Sequence, residues 1–198
     1  MHINNQIEKD ILKHLKINPV IPCISSLDEI FIPEYDKIKV ILLYDLNIFD
    51  LLTIVKKNTN YKKYIILNTD TIKGIASDEY GLTFLKKYLK INTIATSSPK
   101  IINCAKKIDL TVVQTIFVFD TKSLQKGINL IKTGKPNFTD IRPGILYLKT
   151  FSFLKKNLNN IPIICSGLIK KKSEVQSILE NGATAVTTSN KDLWNLYL

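Results

Sequence analysis

The sequence predicts a single-domain (β/α)8 barrel of the α/β class, one domain over residues 1–198 with a short amphipathic helix over 1–17. Three observations lead there. Eight short apolar runs alternate with eight helical segments at intervals of about 20–28 residues. The runs are rich in Ile, Val and Leu and do not alternate with polar residues, as parallel strands covered on both faces should read. The last two runs, Ile161–Cys165 and Ala183–Thr187, each end in small residues that open a helical segment. In such barrels a phosphate commonly sits at the last two units, on backbone N–H groups at the positive end of a helix dipole. An open flavodoxin-like sheet would leave two or three units over.

In order along the chain, Ile7, Ile11, Leu12 and Leu15 fall at helical spacing, predicting a helix over 5–16 that closes one end of the domain. Pro19–Ile24 is the first strand, followed by Ser25 and a weak helical piece, Leu27–Ile32, broken by Pro33. Lys39–Tyr44 is the second strand; the helix Ile48–Lys57 turns Leu51, Leu52 and Val55 inward. The third strand, Lys63–Asn68, leads through Asp70 and Gly74 to a helix that Ser77 caps, with Asp78 and Glu79 in its first turn. Asn92–Thr96 and the helix opened by Pro99 form the fourth unit, and Thr111–Phe119 with a helix over Lys122–Lys132 the fifth. Phe138–Ile141 and Ile145–Leu158 are the sixth. The seventh helix spans Lys170–Asn181, and the eighth is a short terminal helix carrying Trp194.

Composition narrows the function classes. No apolar run approaches the ~20 residues that cross a bilayer, and the charged N-terminal stretch does not read as a signal peptide. A cytoplasmic protein without a membrane partner is expected. Cys23, Cys104 and Cys165 are odd in number and widely spaced, as reduced thiols would be. No metal site is expected, because both histidines, His2 and His14, lie in the N-terminal segment. The net charge is +11, from 28 basic and 17 acidic residues, and Arg142 is the only arginine among the 28. Such a charge suits a polyanion such as nucleic acid. It equally fits a lysine-rich surface that merely solvates the protein.

Ligand contacts in a barrel come from the C-terminal ends of the strands. At the seventh and eighth strands these are Gly167, Leu168, Thr188, Ser189 and Asn190, read as the end that holds a phosphate. Asp70, Gln114 and Asp140 are read as the end that meets the hydroxyls of a polyol. The ordinary alternatives are a left-handed turn at Gly167, an N-cap at Ser189 and a loop cap at Asp70. No strand-end lysine offers a Schiff base and no histidine a general base, so no catalytic residue is assigned.

At these residues the chain resembles the glycerol-3-phosphate-responsive antiterminators, the regulatory proteins of glycerol uptake operons. The resemblance runs from about Pro19. It is carried by NGATAVTTSNKDLW at 181–194, PIICSGLIKKKSEV from 162, QTIFVFD at 114–120, DTIKGIASDE at 70–79 and the pair Pro143–Gly144. It implies a non-catalytic regulator with no cofactor other than glycerol 3-phosphate as effector. It also implies action on an mRNA leader that controls genes of glycerol uptake and catabolism. The chain departs from the family where Ser25, Ser98 and Thr115 stand in place of arginines, while Arg142 is an added one. Either Arg142 and nearby lysines substitute in space, or this is a divergent paralogue with a different ligand. A small phosphate-sugar enzyme of isomerase or lyase type is the second reading. No RNA-recognition module is visible, so RNA contacts are expected from Lys170, Lys171, Lys172, Arg142, Lys155 and Lys156. A small phosphorylated polyol and an mRNA leader are the expected partners, and a homo-oligomer is compatible with the sequence.

Overall fold

A computed structural model describes residues 3–29, 36–158 and 161–198. Eight parallel strands close into a barrel in chain order: β1 Val20–Ile24, β2 Val40–Leu43, β3 Tyr64–Asn68, β4 Thr93–Thr96, β5 Thr111–Phe117, β6 Phe138–Arg142, β7 Ile163–Ser166 and β8 Ala185–Thr188. Closure is made by β1 against β8, where Val20 pairs with Val186 and Pro22 with Thr188. The α-helices are α1 Ile3–Leu15, α2 Ile48–Tyr61, α3 Glu79–Lys87, α4 Pro99–Lys107, α5 Thr121–Gly134, α6 Tyr147–Asn157 and α7 Lys172–Glu180.

Two apolar layers hold the barrel. The outer one lies between strands and helices and includes Leu43, Leu67, Ile94, Val112, Ile116, Ile141 and Val186. The inner one fills the barrel with Ile21, Leu42, Ile66, Ala95, Val113, Phe138, Ile164 and Ala185. Below it, α1 inserts Ile11 and Leu15, which are 0% and 2% exposed, as a plug in the N-terminal end of the barrel. The amphipathic pattern of that segment is therefore used as expected, and each such side chain contributes roughly 1.5–3 kcal/mol by leaving water. Among the described residues no such plug covers the C-terminal end of the barrel.

Several local expectations are corrected. Leu52 is 44% exposed, whereas Leu51 and Ile54 are fully buried, because the inward stripe of α2 runs at three- and four-residue steps from Leu51 and Leu52 lies one residue off it. Asp78, rather than Ser77, caps α3: its carboxylate accepts from the Gly81 N–H at 2.8 Å, and the Ser77 hydroxyl instead donates to the Thr69 carbonyl. The seventh helix starts at Lys172 because the Glu174 carboxylate accepts the N–H groups of Lys170 and Lys171 at 2.8 and 2.9 Å. After β1 and β8 the expected helices are single 3-10 turns, Leu27–Glu29 and Lys191–Leu193. Trp194 follows the latter, buried, with its indole N–H on the Thr188 carbonyl at 2.9 Å. The remainder of the piece expected up to Ile32, Pro33, and His2 lie outside the described residues.

Candidate functional site

The open end of the barrel holds a cleft of about 430 Å³. The loop after β7 gives it Gly167, Leu168, Ile169 and Lys170, and the end of β8 gives Thr187, Thr188, Ser189 and Asn190. Flanking these are Arg142 and Ser166, on the side of β6 and β7, and Cys23, Leu42 and Tyr44, on the side of β1 and β2. All five residues read as the phosphate end thus meet in one cleft, together with Lys170 and Arg142.

Local chemistry shapes that loop. Gly167 has φ +88°, a conformation that costs glycine little, and a Cβ at that position would meet nothing within 4 Å. Leu168 follows at φ +59° and is 62% exposed. Two consecutive left-handed residues turn the chain sharply between β7 and α7. The loop is anchored by the Gly144 N–H, which donates to the Gly167 carbonyl at 3.0 Å. Thr188 anchors it again, donating from its hydroxyl to the Ile169 carbonyl at 3.2 Å. Asn190 does likewise, giving its side-chain amide to the Lys170 carbonyl at 3.1 Å. Thr188 and Asn190 therefore fasten one cleft wall to the other. On the inner face, the Thr187 hydroxyl donates to the Ser166 hydroxyl at 2.7 Å. The Glu174 carboxylate already occupies the N–H groups of Lys170 and Lys171, so these two are not open to a ligand.

The three residues read as the polyol end are not brought together. Gln114 is 1% exposed, and its side-chain oxygen lies 2.8 Å from where a Cβ on Gly134 would stand. It faces the helical layer, because β5 turns Val113 and Thr115 inward and every second residue outward. Asp70 is exposed at the rim and accepts three hydrogen bonds: from the Thr96 hydroxyl at 2.6 Å, the Ser97 N–H at 2.7 Å and the Ser97 hydroxyl at 2.8 Å. Those bonds tie the end of β3 to the end of β4. Asp140 does point into the barrel, completely buried, and accepts from Arg142 Nε at 2.6 Å and from the Thr115 hydroxyl at 3.4 Å.

Arg142 supplies the cationic wall of the cleft. Burial alone would lower its pKa, but the charge and hydrogen bond of Asp140, with smaller help from Cys23 and Asp70, raise it instead. Thr115, one of the positions where the resemblance suggests arginine, pairs in register with Asp140, so a guanidinium from β6 stands beside that carboxylate. Ser25 is exposed on the rim, and Ser98 heads α4 without a side-chain cap bond. Burial pushes the Cys23 thiol up to about 12, against the opposing field of Arg142, so it stays neutral at ordinary pH. Cys23, Leu42, Tyr44 and Thr187 were not singled out from the sequence. Counting by two from Ile21, Val40 and Ala185, the residues that point into the barrel, would have found them.

Among the described residues no three His, Cys, Asp or Glu side chains gather as a metal site. No helix among them is long and apolar enough to cross a membrane. Lys63 is buried, but at the opposite end of the barrel, where it donates to the Ile38 carbonyl at 2.9 Å. Hydroxyls, a guanidinium and a glycine-containing loop suit a small anion that also carries hydroxyl groups.

Fold and cleft define the class, a parallel (β/α)8 barrel with an anion-suited cleft at the ends of its last two strands. The chain belongs to the glycerol-3-phosphate responsive antiterminator family, whose model matches residues 20–194. It is similar to the glycerol uptake operon antiterminator regulatory protein from Listeria monocytogenes str. 4b F2365, with 26% identity and a TM-score of 0.81 over 90% of this chain and 95% of that one. A glycerol uptake operon antiterminator-related protein from Thermotoga maritima MSB8 is 25% identical, with a TM-score of 0.79 over 90% of this chain and 99% of its own. The uncharacterized protein YgcP of Escherichia coli (strain K12) is 23% identical over 186 residues, 94% of this chain and 96% of that protein. Aldolases and decarboxylases of similar shape, at 10–14% identity, share the fold alone. Membership in this family makes the chain a regulatory protein of transcription antitermination in glycerol metabolism.

Proposed function

We propose that the protein binds glycerol 3-phosphate in the cleft between Arg142 and the ends of β7 and β8, and then acts on an mRNA leader in the cytoplasm to prevent termination ahead of genes for glycerol uptake and catabolism. The observation that carries the reading is the cleft itself. Its lining gathers the Gly167 loop, Ser189, the one guanidinium of the chain and the mutually bonded Ser166 and Thr187 hydroxyls. The loop and the cation suit the phosphate, and the hydroxyls suit the polyol. The family membership supports both the effector and the antitermination role.

Thermal unfolding in the presence of glycerol 3-phosphate, glycerol, inorganic phosphate and a panel of other polyol phosphates tests the effector. An effector at ~100 times its dissociation constant stabilises the folded chain by about 2.7 kcal/mol. Stabilisation by glycerol 3-phosphate is expected; a response to none of the compounds removes the effector, and a response to a different polyol phosphate identifies a divergent paralogue. Transcription in vitro through a leader terminator tests the second half. Read-through should rise with protein and effector together, and unchanged termination would remove the RNA role.

A further inference from the structure

Charge of both signs rings the open end, where the helix starts carry Asp50, Glu79, Glu174 and Asp192 beside Lys100, Lys122, Lys172 and Lys191. The helix ends, around the plugged end, carry lysines: Lys86 and Lys87 on α3, Lys106 and Lys107 on α4, Lys155 and Lys156 on α6. Part of this is ordinary helix chemistry, since cations oppose the dipole at a C-terminus. Some of these lysines also cap carbonyls. Lys86 donates to Ile108 and Asp109, and Lys106 to Gly134 and Lys135.

Helix chemistry covers only part of what Lys62, Lys90 and Lys135 contribute: Lys62 and Lys135 are the C-caps of α2 and α5, while Lys90 lies two residues past the C-cap of α3. Each lies in a turn between a helix and the next strand, with left-handed φ of 51°, 55° and 45°. Glycine or asparagine suits such a backbone and lysine does not. All three are exposed. What lysine adds at these positions is charge and reach.

Because the strands follow one another around the barrel, the turns before β3 to β6 are neighbours on one rim, roughly 10 Å apart as packed helices are. Lys62 and Lys90 share a groove of about 400 Å³ with Asn58 and Asn92. Lys132 and Lys135 line another of about 440 Å³ with Asn157; between the two grooves Lys107 ends α4, and the turn after it carries the exposed acid Asp109 at φ 52°. The turn before β8, residues 181–184, carries no basic residue, so the lysines form an arc rather than a uniform coat. Tyr88 stands in that arc between Lys87 and Lys90, 72% exposed, its ring stacked on Phe84 at 5.6 Å. Lysines at such intervals suit successive phosphates, and a pre-stacked exposed ring among them suits an unpaired base.

We propose that this arc, Lys62, Lys90 and Lys135 with Tyr88, is the surface that takes single-stranded RNA, at the end of the barrel opposite the effector cleft. It rests on the RNA half of the proposed function and names the surface responsible. Of the lysines expected from sequence to meet RNA, Lys155 and Lys156 continue the arc, whereas Lys170, Lys171, Lys172 and Arg142 belong to the cleft end. Effector and RNA then use separate residues, and the effector acts on RNA through the barrel.

The test is leader-RNA affinity as a function of salt for four proteins: the unaltered chain, the triple variant Lys62→Gly/Lys90→Gly/Lys135→Gly, Tyr88→Ala, and the cleft-end variant Lys171→Gln/Lys172→Gln, whose residues do not line the cleft. Glycine fits the left-handed turns, so the triple variant should keep the thermal midpoint of the unaltered chain, which is measured alongside. Its affinity should fall at least about tenfold, and its log–log salt slope should become shallower by about 2, the loss of three single-strand phosphate contacts. Tyr88→Ala should weaken binding without changing the slope, and the cleft-end variant should bind as the unaltered chain does. A triple variant that binds normally while the cleft-end variant loses affinity overturns the location and leaves the RNA role standing. An unaltered chain that binds no leader RNA, or binds only vesicles of anionic lipid, overturns the arc and the RNA role together.

Discussion

Asp140 and Arg142, two residues apart on β6, form a charge pair inside the mouth of the barrel, with Nε 2.6 Å from the carboxylate and Asp140 wholly buried. The pair stands because residues i and i+2 of a strand point to the same face. Arginine at 142 can thus turn back over the carboxylate while keeping one edge toward the cleft.

Removing the cation should cost more than removing the pair. Arg142→Met leaves a buried carboxylate unpaired and should destabilise the protein by about 3–5 kcal/mol. The double variant Asp140→Leu/Arg142→Met should recover most of that loss. Urea unfolding of the single and double variants reads the coupling, and additive losses would show that the two side chains do not act as a unit.

Asp70 gives a different expectation because its three hydrogen bonds all go to the end of β4. Asp70→Ala should lower stability by about 1–3 kcal/mol, the scale of charged hydrogen bonds at a rim. Its effect on glycerol 3-phosphate affinity should stay below about tenfold, or ~1.4 kcal/mol. Calorimetric titration of the folded variant decides this. A larger loss of affinity with unchanged stability would return Asp70 to the ligand.

Lys63 makes stability depend on alkaline pH. Burial, with the nearby charge of Lys39, lowers its pKa from 10.5 to about 8, although Asp36 pulls the other way. Below about 8 both folded and unfolded chains carry the proton, and the folded state bears the full cost of the buried charge. Between about 8 and 10.5 the unfolded chain holds a proton that the folded chain has released, so stability rises with pH through that window. The slope cannot exceed ~1.4 kcal/mol per pH unit for one proton. Lys63→Met removes this contribution, so the unaltered chain should gain on the variant as pH rises. Parallel denaturation curves at every pH would contradict the shift.

How far the sequence reached differs between fold and site. The barrel, its plugging helix and the order of its units were legible because each unit repeats one strong signal, an apolar run followed by a helical stripe. The cleft at the ends of β7 and β8 was legible for the same reason, since its position follows from the order of the strands. What the sequence could not show was which residues of each strand face inward. A strand covered on both sides by apolar layers has no polar alternation to reveal its parity. Gln114, expected at the ligand, therefore faces the helices, while its neighbour Thr115 faces Asp140.

The chain by itself thus determined an eight-unit parallel barrel and the meeting of Gly167 and Ser189 in one cleft at its C-terminal end, because local periodicity and the order of the strands fix these. Only the tertiary structure decided that Arg142 folds back onto Asp140, that Asp70 clamps β4, and that Lys62, Lys90 and Lys135 gather on one rim. Each of these depends on barrel closure, which brings residues distant in sequence into register and turns neighbouring loops toward the same end.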